Sequence, residues 1–249
     1  MEPRICASRF GLVLALVAIG LGACKPASAQ SFVSARLMAL EGQPQCPSNV
    51  RESPILTCRV VIDETGAVHD EPSTHCFGKL GGDDRRRADT VRSNLLRSRF
   101  EPARIDGVGV EVSASLRVSF VEINGRCDVT VYLNLADQQG AAAADYFAPQ
   151  EIMTDGGWRG ALQARLRPRY PGRSYDGMAF VMSVAVDELG NASDGRIEAN
   201  NFVLEESVQA AVGALEKQQF IPATIDGVAR PARYFDFIYV LEPPRRRLR

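Results

Sequence analysis

"RFEPARIDGVGVEV" spans Arg99–Val112 and "QFIPATIDGVARPA" spans Gln219–Ala232, so nearly the same phrase occurs twice in the chain. Phe, Pro, Ala, Ile, Asp, Gly and Val recur in register at an offset of 120 residues. A phrase that returns in register indicates either a repeated site or a repeated structural unit. The residues around it decide between the two.

The repeat extends well before the phrase. "PQCPSNVRESPILTCRVVIDETG" (Pro44–Gly66) aligns without a gap to "PRYPGRSYDGMAFVMSVAVDELG" (Pro168–Gly190). Each copy therefore spans about 75 to 80 residues, which is enough for a small domain. Two copies are too few for a solenoid, so we interpret the chain as a tandem duplication of one domain.

Each copy begins with the same predicted elements. "LTCRVVID" and "AFVMSVAVD" are β-branched and apolar, as strands are, and "DETG" or "DELG" follows as a turn. A more polar second strand is predicted at "AVHDEPS" and "NASDGRIEA". An amphipathic helix follows, with one apolar stripe at helical spacing. Its positions are Ala88, Val91 and Leu95 in the first copy and Val208, Ala211, Val212 and Leu215 in the second.

The quoted phrase then forms the corner between the helix and the last strand. Its Phe is expected to pack on the helix stripe, and its Pro prevents the helix from continuing. Asp-Gly is expected to turn the chain into the last strand, "VEVSASLRVSFVEI" or "ARYFDFIYVLE". The predicted fold class is α+β: two tandem small domains, each a strand-strand-helix-strand unit with a helix packed on a small antiparallel sheet.

The first 29 residues resemble an export signal. Arg4 and Arg9 precede "FGLVLALVAIGLGA", which is too short for the roughly 20 apolar residues of a membrane-spanning helix. "LGAC" would place a lipid on Cys24, whereas "ASA" before Gln30 fits ordinary signal peptidase. An uncleaved anchor is a third interpretation. All three predict a body outside the cytoplasm.

Four cysteines remain beyond this segment, and they are disulfide candidates. They are Cys46, Cys58, Cys76 and Cys127. An even set in an oxidising compartment indicates two disulfides, and the sequence leaves their pairing open. A metal site built from His75, Cys76, Cys46 and Cys58 is the alternative, but it lacks the close C-x-x-C spacing of zinc sites.

No catalytic arrangement is found in the sequence. The formal net charge of −1 gives no reason to expect nucleic acid. His69 and His75 are the two histidines, and no nucleophile elbow, phosphate-binding loop or H-E-x-x-H motif is present. The acidic pairs Asp63-Glu64 and Asp187-Glu188 lie beside turn glycines, which favours surface turns over acid–base chemistry. We therefore expect a protein that is not an enzyme and has no cofactor and no metal.

The ordered set of motifs resembles the TonB C-terminal domain family. Tyr170-Pro171, "VDELG", "QFIPATIDG" and "FDFIYV" carry the resemblance in the second copy, and "IDETG" and "RFEPARIDG" carry it in the first. The resemblance covers about 150 residues, counted from two copies of small-domain size. It divides the chain into 1–29 signal, 30–135 first domain (repeat core 44–122), 136–160 linker, 161–242 second domain and 243–249 basic tail.

The resemblance implies a protein-binding role in the periplasm of a Gram-negative bacterium. In that family an outer-membrane receptor segment pairs with the edge of the sheet, which is β-augmentation. The edge implied here is the last strand of each copy, Val112–Phe120 in the first. In the second copy its residues are Arg233, Tyr234, Phe235, Asp236, Phe237 and Ile238. The side chains of this strand are themselves expected to be core and sheet residues, because the main chain makes the pairing.

Two functions remain open at this point. The first is a periplasmic binding module, soluble or lipid-anchored, that takes part in TonB-linked transport across the outer membrane. No Pro-rich spacer precedes Pro44 and the apolar segment contains no histidine, which favours binding without energy transduction. The second is a structural envelope protein whose domains self-associate.

Overall fold

The computed structural model describes residues 30–42, 55–69, 74–77, 82–123, 126–132, 145–154, 158–159, 162, 179–200 and 205–239. The first half contains β1 (Phe32–Val33), β2 (Arg36–Ala39), β3 (Ile55–Ile62), β4 (His75–Phe77), α1 (Gly82–Arg97), β5 (Arg99–Glu101), β6 (Ala103–Ile105), β7 (Val108–Val110), β8 (Val112–Ile123) and β9 (Arg126–Tyr132). The second half contains β10 (Tyr146–Phe147), β11 (Gln150–Ile152), β12 (Ala179–Val186), β13 (Ala192–Asn200), α2 (Glu205–Leu215), β14 (Phe220–Ile221), β15 (Ala223–Ile225), β16 (Val228–Arg230) and β17 (Ala232–Tyr239).

The architecture is α+β in the broad sense and is dominated by strands. Among the described residues, α1 and α2 accompany several antiparallel sheets, and the largest sheet has the order β14-β11-β8-β3-β4 with β9 also paired to β8. A second sheet has the order β13-β12-β17. Within the described ranges, no helix is long and apolar enough to span a membrane.

The repeat is longer than the sequence analysis found. β1 pairs with β6 and β2 with β5, just as β10 pairs with β15 and β11 with β14. Each repeat therefore starts with two short strands that precede the aligned segment. Residues 145–152, assigned to the linker, include β10 and β11, and that part of the assignment is corrected. Two strands this short carry little sequence signal.

Both predicted helices form and bury their predicted stripes. The stripe of α2 is buried in a core with Phe220, and the stripe of α1 is buried in a core with Phe100. The buried positions are Val208, Ala211, Val212 and Leu215 in α2 and Ala88, Val91 and Leu95 in α1. The phenylalanine of the repeated phrase thus packs against its helix, as expected. In the first copy the second strand lies later than predicted: Ala67 and Val68 make only isolated bridges, and β4 follows at His75.

The Asp-Gly pairs form tight turns, but not into the last strand. Asp106 and Gly107 have φ of 51° and 80°, and Asp226 and Gly227 have φ of 51° and 74°. Two residues with positive φ make the turn that joins the strands of a two-residue hairpin. The hairpins are β6–β7 and β15–β16, and the last strand starts after them.

In each repeat the D-x-x-G turn is hydrogen-bonded to the phenylalanine of the repeated phrase. Asp187 Oδ1 accepts the N–H groups of Leu189 and Asn191 at 2.9 and 2.8 Å. The Gly190 carbonyl then accepts the N–H of Phe220 at 3.0 Å. A Cβ on Gly190, whose φ is 82°, would lie 2.0 Å from the Phe220 carbonyl oxygen. Only glycine fits there.

The first copy repeats this arrangement. Asp63 Oδ1 accepts the N–H groups of Thr65 and Ala67 at 2.8 and 2.9 Å, and Gly66 O accepts the N–H of Phe100 at 2.9 Å. Burial raises the pKa of Asp63, but hydrogen bonds from Thr65 and Ala67 outweigh it and hold that pKa below its usual value. The turn interpretation of Asp63 and Asp187 is therefore confirmed.

We expect Gly190→Ala to lower the free energy of unfolding by at least about 3 kcal/mol, because it adds a backbone clash to an unfavourable φ. Gly227→Ala is the matched control, since its φ is also positive but nothing lies within 4 Å of the added Cβ. It should lose only about 1 kcal/mol. Urea unfolding measures both, and equal losses would contradict the proposed contact.

Candidate protein-binding edge and the ionic cluster behind it

The predicted edge residues of the second copy all lie in β17. This strand pairs along its whole length with β12, from Ala232 opposite Val186 to Tyr239 opposite Ala179. Among the described residues it is the last strand in the order β13-β12-β17. A terminal strand of a sheet is where another strand can be added.

The equivalent strand of the first copy is covered, so the expected partner edge at Val112–Phe120 is wrong. β9 pairs with β8 from Arg117 to Ile123, and β11 pairs with its first residues, Val112 and Ser113. β9 begins only two residues after β8 ends, with Asn124 and Gly125 between them in the sequence. The chain itself therefore occupies both ends of this edge.

The side chains of β17 hold the strand in place. Tyr234 and Ile238 are buried in the second core, and the Tyr234 ring lies 4.9 Å from that of Phe220, centroid to centroid. Phe235 and Phe237 alternate with them and are half-buried. The core-and-sheet interpretation of these side chains is confirmed.

Arg233 fixes the start of β17 from the other face. Its guanidinium donates to Ser183 Oγ at 2.9 and 3.1 Å and to Asp194 Oδ2 at 2.8 Å. Asp194 also accepts from Arg196, and these hydrogen bonds, first that from Arg233, lower its pKa. The three strands of the sheet are thereby tied together at this end.

Behind the strand, Asp236 belongs to a buried ionic cluster. Arg159 donates to Asp236 Oδ2 at 2.5 Å and makes a two-pronged contact with the Glu151 carboxylate. Arg59 Nη1 lies 3.8 Å from Asp236 Oδ1, and Trp158 Nε1 donates to Glu151 at 3.0 Å. Two guanidinium groups thus neutralise two carboxylates away from water, which such groups require when buried.

The cluster spans both repeats. Arg59 comes from β3 of the first repeat, Glu151 from β11 and Asp236 from β17. Asp236 has no detectable exposure and Glu151 is 1 % exposed. We call Arg59, Glu151, Arg159 and Asp236 the ionic cluster. It anchors β17 to the central sheet.

The surroundings shift several pKa values. Burial would lower the pKa of Arg159, but Asp236 and Glu151 outweigh it and raise that pKa further. Burial lowers the pKa of Arg59, and neighbouring Arg159 adds to this. Burial and the nearby Asp236 raise the pKa of Tyr234, so its hydroxyl stays protonated.

Sequence reasoning missed the ionic cluster, although the repeat contained a signal. By the strand registers, Glu151 is equivalent to Leu37 and Asp236 to Leu116. Both leucines belong to or pack on the first core. Two acidic residues at positions that are leucine in the other copy indicate paired burial of charge.

His75 lies beside this cluster. It is opposite Arg59 in the β3–β4 pair, and Arg92 approaches through a 2.7 Å hydrogen bond from its Nε to the Thr74 carbonyl. Burial, then Arg59 and Arg92, lower the pKa of His75 to about 4. The imidazole is therefore neutral at physiological pH.

One of the predicted disulfides is present. Cys58 and Cys76 lie opposite each other in β3 and β4 and are joined, with their Cα atoms 4.0 Å apart. The bond removes both thiols from the alternative metal site. In the part of the chain described, no group of three or more His, Cys, Asp or Glu side chains could hold a metal ion. Cys46, the lipidation candidate Cys24 and the side chain of Cys127 lie outside the described part.

Comparison of the chain with protein-family models, with curated proteins and with solved structures found no match.

We expect Asp236→Ala to lower the free energy of unfolding by about 3 to 5 kcal/mol, because it leaves Arg159 and Arg59 buried with too little negative charge. A variant with Glu151→Leu, Asp236→Leu, Arg59→Met and Arg159→Met should recover at least half of this loss. Urea unfolding compares the two. A loss below about 1 kcal/mol for Asp236→Ala would show that the cluster does not anchor the strand.

We expect stability to fall on acidification because of His75. Its pKa of about 4 in the folded chain lies below the ordinary 6.5, so the unfolded chain binds the proton first. Stability is complete above pH 6.5 and is lost as the pH falls from there towards 4. Between pH 7.5 and 5 the loss is about 2 kcal/mol. His75→Gln should flatten this slope and His69→Gln should keep it; the same slope in both would contradict the assignment.

Proposed function

We propose that the chain is a protein-binding module of the bacterial envelope, similar to TonB C-terminal domains, in which β17 pairs with an extended segment of a partner protein. Main-chain N–H and C=O groups would supply the affinity, and the partner would extend the sheet β13-β12-β17. The partner class is a segment of an outer-membrane receptor or of another envelope protein.

The observation that carries this proposal is the different use of one edge in the two repeats. Two further strands, β9 and β11, pair with β8 on the side away from β3. β17 is its equivalent, and in the described sheet it is the last strand. The first repeat shows that this fold can add strands at this position, and we infer that the second repeat uses the position for a partner.

The rigidity of β17 supports the same role. Arg233 binds across to Asp194, Tyr234 and Ile238 are buried, and Asp236 is held by Arg159. A strand fixed along its length is already ordered, so a partner strand would lose only its own conformational freedom on binding. We therefore place recognition on β17.

The proposed compartment is the periplasm. The Cys58–Cys76 disulfide is typical of an oxidising compartment, and the predicted export signal agrees with it. We retain the interpretation of two tandem strand-strand-helix-strand units as part of this proposal, with lipid attachment through Cys24 as its membrane-bound form.

We propose binding without catalysis. Four acidic candidates for acid–base chemistry are already engaged, Asp63 and Asp187 in turns and Glu151 and Asp236 in the ionic cluster. Each of these carboxylates accepts hydrogen bonds within the fold, which favours a structural use of all four.

Hydrogen exchange tests the proposal. Synthetic peptides from the N-terminal periplasmic segments of TonB-dependent outer-membrane receptors are added to the full chain, and exchange of the β17 amides is followed. We expect at least one peptide to slow exchange in β17 by tenfold or more. Peptides with proline at alternate positions, which cannot complete a ladder, are the controls.

Two outcomes would reject the proposal. One is that no receptor peptide slows exchange in β17. The other is that the proline peptides slow it equally, because side-chain contact rather than strand pairing would then explain the protection.

A further inference from the structure

Several polar atoms of the ionic cluster and of the neighbouring Tyr234 are buried without a hydrogen-bond partner. Within the described part of the chain, no protein group bonds to Asp236 Oδ1, to Arg159 Nε or to the hydroxyl of Tyr234. Asp236 and Tyr234 are both buried, so bulk water does not reach them. A buried polar group without a partner is costly, and the cost is larger for a charged oxygen. Protein groups alone therefore do not satisfy the cluster.

Tyr234 lies on the same side of β17 as Asp236. The two residues are two positions apart in the strand and both are buried, as side chains on one face of a strand are. Burial and then the charge of Asp236 raise the pKa of the Tyr234 hydroxyl, so the hydroxyl is close enough to feel that carboxylate. The orphaned hydroxyl and the orphaned carboxylate oxygen thus belong to one buried polar region.

Arg59 reaches this region from the other repeat. Its Nη1 lies 3.8 Å from Asp236 Oδ1. This separation is too long for a direct hydrogen bond. Two polar atoms at such a distance can instead be joined by a water that bonds to both. The contact between β3 and β17 therefore has the spacing of a water-mediated ion pair.

The chemistry of these atoms determines which ligand could complete the region. Asp236 Oδ1 can only accept a hydrogen bond, Arg59 Nη1 can only donate one, and the Tyr234 hydroxyl can do either. The Asp236 carboxylate would repel an anion, and the guanidinium groups of Arg59 and Arg159 would repel a cation. Two carboxylates and two guanidinium groups already balance each other. A small neutral molecule that donates and accepts at once fits, and water is that molecule.

We propose that one water molecule is bound beside the ionic cluster, where it donates to Asp236 Oδ1, accepts from Arg59 Nη1 and is hydrogen-bonded to the Tyr234 hydroxyl. Buried waters make about three hydrogen bonds, which is the number that these three groups offer. Arg59 belongs to β3 of the first repeat, and Tyr234 and Asp236 belong to β17 of the second. The water thus joins the two repeats at a point where their direct ion pair is too long for a hydrogen bond.

Tyr234→Phe tests the site, because it removes the hydroxyl and keeps the ring. A hydroxyl bound to the water stabilises the fold, whereas a buried hydroxyl without a partner destabilises it. We expect the ratio of folded to unfolded chain, measured by urea unfolding, to fall at least about fivefold. An unchanged or increased ratio would overturn the proposal.

The control repeats Tyr234→Phe in a chain whose cluster is apolar. That chain carries Glu151→Leu, Asp236→Leu, Arg59→Met and Arg159→Met. Its apolar side chains offer no partners to a water, so removal of the hydroxyl should leave the folded ratio unchanged or raise it. The same loss in both backgrounds would show that the ring packing and not the water is responsible, and would overturn the proposal.

A high-resolution crystal structure of the wild-type chain observes the site directly and does not depend on any variant folding. We expect the density of one water about 2.7 to 3.2 Å from Asp236 Oδ1, Arg59 Nη1 and the Tyr234 oxygen. A direct hydrogen bond between Arg59 and Asp236, or an ion in this position, would overturn the proposal. Binding of partner peptides at β17 is measured separately, so failure of either proposal leaves the other standing.

Discussion

A three-residue strand, β11, joins the two repeats. It pairs with β14 of its own repeat and with β8 of the other. Neighbouring residues of β11 face different cores. Ile152 packs against the first core, and Glu151 lies opposite Phe220, which is part of the second core. Gln150 adds a pair of hydrogen bonds to the backbone of Ala35 at 2.8 and 2.9 Å. The central sheet therefore contains strands of both repeats, and backbone hydrogen bonds within it join the two halves.

This shared central sheet explains why equivalent strands have different roles. β8 is an inner strand of the central sheet and pairs on both sides, whereas β17 belongs to the separate sheet β13-β12-β17. The duplicated sequence is thus used asymmetrically: β8 of the first repeat pairs with β11 of the second, whereas β17 is the last strand of its sheet among the described residues. Stability and proposed binding are carried by the same kind of contact, namely antiparallel pairing of main chain.

The features that the sequence predicts are those whose cause is local. The Asp-x-x-Gly turn is made by hydrogen bonds within four residues of Asp187, and the helix stripes follow from helical periodicity. What it fails to predict depends on distant partners. β11 is too short for a pattern, and the contact of Arg59 with Asp236 depends on how two separate sheets pack together. The exchange of Leu116 for Asp236 between repeats was the one accessible signal, and it required a comparison position by position.

The same exchange bears on how a duplicated chain avoids mispairing while it folds. Equivalent segments of tandem repeats can take each other's places during folding. Here the wrong placement is penalised: β17 inserted in the position of β8 would put the Asp236 carboxylate among Leu56, Val60 and other apolar residues of the first core, away from Arg159. Because Asp236 needs Arg159 and Leu116 needs an apolar core, each of the two strands is stable in only one position. The duplicated chain can therefore reach a single native state.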